Sequence, residues 1–225
     1  MPAHMSSRNV VHTIRRAVLF TLGMFIMAFG IAISIRANLG TGPVISLPTV
    51  LSFALPLSVG TLSIIFNLVM MALSLLISLI ARKRFPLFQL MQIPAAVLFG
   101  FFIDFSMSLT TWVAPGNYLM QWVYVVISVV IIALGVHIEM KPRFTYIPAD
   151  GVVALLAMVT PVRVSTLKMI FDWSLVIIST VLSLVLLGGL EGVREGTVFA
   201  AFGVGFTMKI IANIEQQFRV DRRYD

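Results

Sequence analysis

The sequence predicts an all-α membrane protein of about six transmembrane helices, arranged as two inverted three-helix repeats that each carry a short broken or re-entrant half-helix. Three observations predict it: six apolar runs long enough to span a bilayer, basic clusters at alternating ends of those runs, and a gapless internal repeat. The composition agrees, with 59% hydrophobic and only 11% charged residues in 225. Soluble domains average about 25% charged residues, so most of this surface is not built for water.

A span needs about 20 mostly apolar residues. Residues 17–35, 59–81, 87–109, 119–140, 164–187 and 193–214 qualify. The first run follows Arg8, Arg15 and Arg16, as in a signal peptide, but it is too long for one and no small-residue cleavage site follows, so it reads as a retained helix. Residues 44–55 and 149–160 are apolar, short and bracketed by prolines. They are too short to span and read as re-entrant half-helices.

Charge sets the expected orientation. Arg82, Lys83 and Arg84 lie between the second and third spans, Lys141 and Arg143 follow the fourth, and Arg219, Arg222 and Arg223 come near the end of the chain. Both termini on the cytoplasmic side place every cluster inside, as the positive-inside rule requires. Residues 110–118 and 188–195 are then external; Arg194 there is set against Glu191 and Glu195, which leaves Arg36 as the exception to the pattern. The net charge of +7 sits at span ends rather than on a polar face. It fits an anionic membrane surface and argues against nucleic acid.

A shift of 105 residues aligns 18–104 with 123–209 without a gap, with 20 identities in 87 positions. The matches include Gly30 with Gly135, Pro43 with Pro148, Pro56 with Pro161 and Gly100 with Gly205, so the same backbone irregularities recur. The chain is expected to form one membrane domain over 1–225, with repeat 1 at about 17–109 and repeat 2 at about 119–214. Three spans is an odd number, so the second repeat is expected to enter the membrane from the opposite side. Such inverted pairs are common in secondary transporters, where the interrupted segments mark the binding site.

The run Ala37-Asn38-Leu39-Gly40-Thr41-Gly42-Pro43 follows a glycine-containing first helix, and Pro56, Gly60, Asn67 and Arg82-Lys83-Arg84-Phe85-Pro86 come after it. This pattern resembles the YitT/YczE family of bacterial multi-pass membrane proteins, nearer its YczE branch. The resemblance covers most of the first half and, more weakly, the whole chain. It implies a bacterial inner-membrane protein and implies no substrate.

Ionisable groups inside spans are costly and are functional candidates. Asp172 lies about two turns into the fifth span, with Lys168 four residues earlier on the same face and Asn67 opposite by repeat symmetry. A substrate or coupling role and a self-neutralised Lys168–Asp172 pair are both open. Asp104 falls to pairing or coupling, and its repeat partner Lys209 reads as an interfacial anchor. Arg36, Gly40, Thr41, Gly42 and Pro43 are expected to form an anion-attracting site at the start of the first half-helix, where N–H groups and a helix dipole would meet a ligand. Lys141 is the matching cation in the second repeat. Asp150 reads as a cap of the second half-helix, which would leave the first repeat the better binder. His137 and Glu139 share no helix face and suggest no metal site.

Cysteine is absent, which excludes disulfides and thiol chemistry. Phosphate-loop, zinc-protease and nucleophile-elbow signatures are absent too, so no enzyme and no cofactor is expected. The expected function is a small secondary transporter of an unidentified solute bound between the repeats, an anion being one option. The alternative is a non-transporting accessory or scaffold protein. Expected partners are the lipid bilayer, the solute and, as one option, further copies of the chain.

Overall fold

A computed structural model describes residues 7–81, 90–142 and 147–221. Every regular element in them is helical: α1 (Ser7–Ala37), α2 (Pro43–Ala54), α3 (Val59–Ile80), α4 (Gln92–Leu109), α5 (Tyr118–Met140), α6 (Pro148–Val159), α7 (Val164–Leu187) and α8 (Glu195–Asp221). Six of these are long and apolar enough to cross a membrane, and α2 and α6 are the two short apolar helices. The expected apolar helices are therefore present, with most ends within about two residues of expectation; α1 starts ten residues earlier, α4 five later, and α8 ends seven later. The basic residues Arg82, Lys83, Arg84, Arg143, Arg222 and Arg223 lie outside the described residues.

Local chemistry explains the ends. α1 stops where Asn38 turns left-handed (φ 56°), a conformation asparagine tolerates better than most residues. Pro43 and Pro148 open α2 and α6 in the first turn, where a missing N–H costs nothing. Ser58 caps α3 by accepting from Thr61 N at 3.1 Å, and Asn117 caps α5 by accepting from Met120 N at 2.9 Å. α4 begins later than the hydropathy suggests because Pro94 belongs in a first turn and disfavours helix just before it.

The centre of the molecule is the α1–α5 pair. A Cβ on Gly30 would lie 2.9 Å from Ile132 N, one on Gly135 would lie 2.7 Å from Met27 Cα, and Gly23 abuts Glu139. Residue numbers rise along one helix as they fall along the other, so the pair is antiparallel. Small residues permit this closeness, which drives helix association where no hydrophobic effect operates. Phe20, Met24, Ala28, Phe99 and Ile103 fill the core around it.

The short helices cross over. α2 packs on α7, and α6 packs on α3, so each half-helix rests on the other half of the chain. The remaining pairs also correspond under the 105-residue shift: α1 packs on α4 as α5 does on α8, and α2 on α3 as α6 on α7. One pair breaks the pattern. α3 packs closely on α4, whereas α7 and α8 are not packed along their length.

Candidate functional site

The first break is occupied by the protein itself. Gly40 holds φ +96°, and a Cβ there would run into Thr197 and the Arg194 backbone nitrogen. Leu39 O accepts from Gly196 N at 2.8 Å, and Thr41 N donates to Gly192 O at 3.1 Å. Ser34 Oγ donates to Gly40 O at 3.2 Å. The glycine allows close approach, but to the start of α8 rather than to a ligand. Arg36 does not reach this segment either: its guanidinium donates to Met107 O at 2.8 Å and to Thr110 Oγ1 at 3.2 Å. A cation on the last carbonyls of a helix complements its dipole, so Arg36 closes the C-terminal end of α4. Gly42 and Pro43 begin α2 as expected, and the hydroxyl of Ser46 meets that of Ser179 on α7 at 2.9 Å. The anion site expected of Arg36, Gly40, Thr41, Gly42 and Pro43 is thus not assembled, because Arg36 and the Leu39–Thr41 backbone are already committed to α4 and α8.

The second break differs at the corresponding positions. Ser34 is replaced by Glu139, Ser46 by Gly151, and Thr197 corresponds to Gln92. Glu139, Gln92, Asn67 and Ser74 are 7%, 2%, 1% and 2% exposed. Asn67 Nδ2 donates to Ser63 O at 2.9 Å, and Asn67 Oδ1 accepts from Ala149 N at 3.4 Å, holding the first turn of α6. Gln92 lies over Gly151, where a Cβ would sit 3.0 Å from its Nε2. Ser74 is the counterpart of Ser179, as Gly151 is of Ser46, and it keeps a buried hydroxyl with no partner. Neither Glu139 nor Gln92 has a hydrogen-bonded partner among the described residues. The Ser74 hydroxyl is buried without a partner, as are those of Ser78 on α3 and Ser106 on α4; with Glu139 and Gln92 it leaves polar groups beside α6 open to a further partner.

A charge cluster stands beside it. Lys168 Nζ lies 3.0 Å from Asp150 Oδ1 and 2.9 Å from Asp172 Oδ1. Asp150 is not the side-chain cap of α6, whose N-cap is Ile147. Its carboxylate instead reaches across to α7. The expected Lys168–Asp172 pair is present, but Asn67 contacts α6 and not Asp172.

Other expected residues are elsewhere. Lys141 and His137 both contact Glu215 Oε2 on α8, at 2.7 Å and 2.8 Å. Asp104 accepts from Ser58 Oγ at 2.6 Å and from Gly60 N at 2.8 Å, tying α4 to the start of α3. No group of three or more His, Cys, Asp or Glu is arranged for a metal ion among the described residues. Glu139, Gln92, Ser74 and Glu215 were not singled out as site residues by the sequence, although the repeat alignment does mark Ser34→Glu139 and Ser46→Gly151 as positions where the halves diverge.

A family model described as a family of unknown function (DUF6198) matches residues 14–213, and the chain belongs to that family. No curated protein and no solved structure matches it.

Proposed function

We propose that this DUF6198 member is a small secondary transporter whose solute site surrounds the second half-helix, α6. The observation that carries the reading is the polar lining of α6: the largely buried Glu139 and Gln92, which make no side-chain hydrogen bond among the described residues, and the buried, unpartnered hydroxyl of Ser74, next to the Asp150–Lys168–Asp172 cluster. A bundle that only scaffolds partners has no use for unsatisfied groups in its interior.

The architecture supports the same reading. An inverted-repeat reading is supported by the close glycine contacts at corresponding positions across an antiparallel α1–α5 pair, and by each half-helix crossing onto the opposite half. This favours the pseudo-two-fold arrangement of secondary transporters, with the site at the broken helices. The YitT/YczE resemblance and the basic clusters favour a bacterial inner-membrane location with both termini in the cytoplasm.

Lys168 is shared by the carboxylates of Asp150 and Asp172, and Glu139 is a further largely buried acid, so the balance of charge is acidic. That favours a carboxylate that takes up a coupling proton or sodium ion. Neutralising Asp150 or Asp172 weakens its hold on Lys168, and the freed ammonium and the α6 N-terminus can then meet the solute's polar or anionic group. Coupling and binding would share one cluster.

The test is flux into sealed proteoliposomes with an imposed proton or sodium gradient, screening small polar solutes. Gradient-driven uptake is expected, lost in Glu139→Gln and Asp172→Asn, with solute exchange without a gradient retained in at least one of them. Absence of flux under every gradient and solute class would favour the scaffold reading.

A further inference from the structure

The pseudo-symmetry fails at one seam, and the failure has a pattern. Between α3 and α4, Gly60 and Gly100 face one another so closely that a Cβ on Gly100 would lie 2.5 Å from Gly60 O. Asp104 completes the seal by accepting from Ser58 Oγ and Gly60 N. The residues 105 positions on are Ser165 for Gly60, Gly205 for Gly100, Arg163 for Ser58 and Lys209 for Asp104. A hydrogen-bonded acid and hydroxyl have become two cations.

The seam opens accordingly. A Cβ on Gly205 would meet nothing within 4 Å. α7 is held by α2 and α6, α8 is held by α5, and the two touch edge-on through Trp173 and Phe202, with ring centroids 6.4 Å apart. Exposed Ile170 and Ile177 on α7 and Phe206 on α8 leave the flanking surface apolar. Along the α7–α8 hairpin, Lys209 is seven residues on from Phe202, and seven back from Trp173 is Thr166, within a turn of Arg163. Arg163 and Lys209 are exposed, and neither is ion-paired among the described residues. Arg163 occupies the N-cap of α7, which has no side-chain cap, so unpaired N–H groups add to the positive field.

We infer that the α7–α8 seam is a binding site for an anionic phospholipid, its phosphate held by Arg163, Lys209 and the start of α7, its acyl chains along the apolar seam. Charge complementarity selects this occupant. A second copy of the chain would bring the same two cations and gain nothing from them, whereas an anionic headgroup joined to acyl chains satisfies both parts of the surface.

The experiment is native mass spectrometry of the full chain, delipidated in neutral detergent and titrated with phosphatidylglycerol or phosphatidylcholine. One phosphatidylglycerol is expected to be retained in preference to phosphatidylcholine. The Arg163→Gln/Lys209→Gln variant should lose about tenfold or more in that affinity, while Arg15→Gln/Arg16→Gln, which removes equal charge elsewhere, should not. Gly205→Leu should also weaken binding, since it fills the seam with both cations intact. It guards against misfolding of the double variant. Equal retention of the two lipids, unchanged affinity in the double variant, or displacement by millimolar inorganic phosphate would overturn the assignment. So would disulfide-linked dimers formed efficiently by Gly205→Cys in membranes, which would give the seam to a second copy.

Discussion

Residue by residue, the sequence showed which side chains were expensive but not what they faced. Arg36 stood out because it broke the positive-inside pattern, and its role is to cap α4 through Met107 O and Thr110 Oγ1. That partner lies more than 70 residues away, so no local signal discloses it. Glu139 illustrates the reverse. The sequence set it aside as sharing no helix face with His137, yet the glycine-lined approach of α1 at Gly23 draws that end of α5 into the interior. The Lys168–Asp172 pair was legible because it depends on helical spacing alone. Arg36 yields a prediction at this scale. Hydrogen bonds to a charged group are worth about 1.5–3 kcal/mol, and Arg36 is only partly exposed. Arg36→Gln should therefore destabilise the protein by roughly that amount and lower its melting temperature in detergent, with solute affinity unchanged. A variant that melts like the parent but binds solute more weakly would return Arg36 to the site.

The elements themselves were largely readable. Prolines at the starts of α2 and α6 and the 20-residue scale of the spans located all eight helices, because both signals are local, though the start of α1 and the end of α8 lie beyond the apolar runs. Which helices pack tightly was less readable. Repeated glycines flagged contacts, but Gly100 is buried against α3 while its counterpart Gly205 is open. The difference arises from their partners, Gly60 in one half and Ser165 in the other, and from Asp104 giving way to Lys209. This contrast makes a prediction. A Cβ on Gly135 would fall within 2.8 Å of Met27 Cβ and still closer to its backbone, which cannot move without shifting α1. Gly135→Leu should cost several kcal/mol, as overpacking at a backbone contact does, and should abolish the monodisperse peak in size-exclusion chromatography. Gly205→Leu should leave that peak in place. If both variants behave alike, the α7–α8 seam is packed as tightly as the α1–α5 pair and is not open.

For the molecule as a whole, function follows from how the halves are oriented, and orientation is what the charges argue. α5 and α8 run parallel, since Tyr118 meets Glu195 at their starts and Lys141 meets Glu215 near their ends. α1 opposes α5. On the proposed inverted reading the two halves would enter the membrane from opposite sides, with the basic end of α5 toward the cytoplasm. Residue 116 joins α4 to α5 at the far end from Lys141, so it should face outward. Gly116 suits a test, because a Cβ there meets nothing within 4 Å and Asn117 keeps its cap on α5. The chain has no cysteine, so Gly116→Cys would supply its one thiol. In intact cells an impermeant maleimide should label Gly116→Cys, whereas Arg15→Cys, at the start of α1, should react only after permeabilisation. Labelling with the two variants exchanged would invert the molecule and put the α6 cluster on the outer side. Labelling of both in intact cells would mean an odd number of crossings between residues 15 and 116 does not occur, and the inverted pairing of the halves would have to be given up.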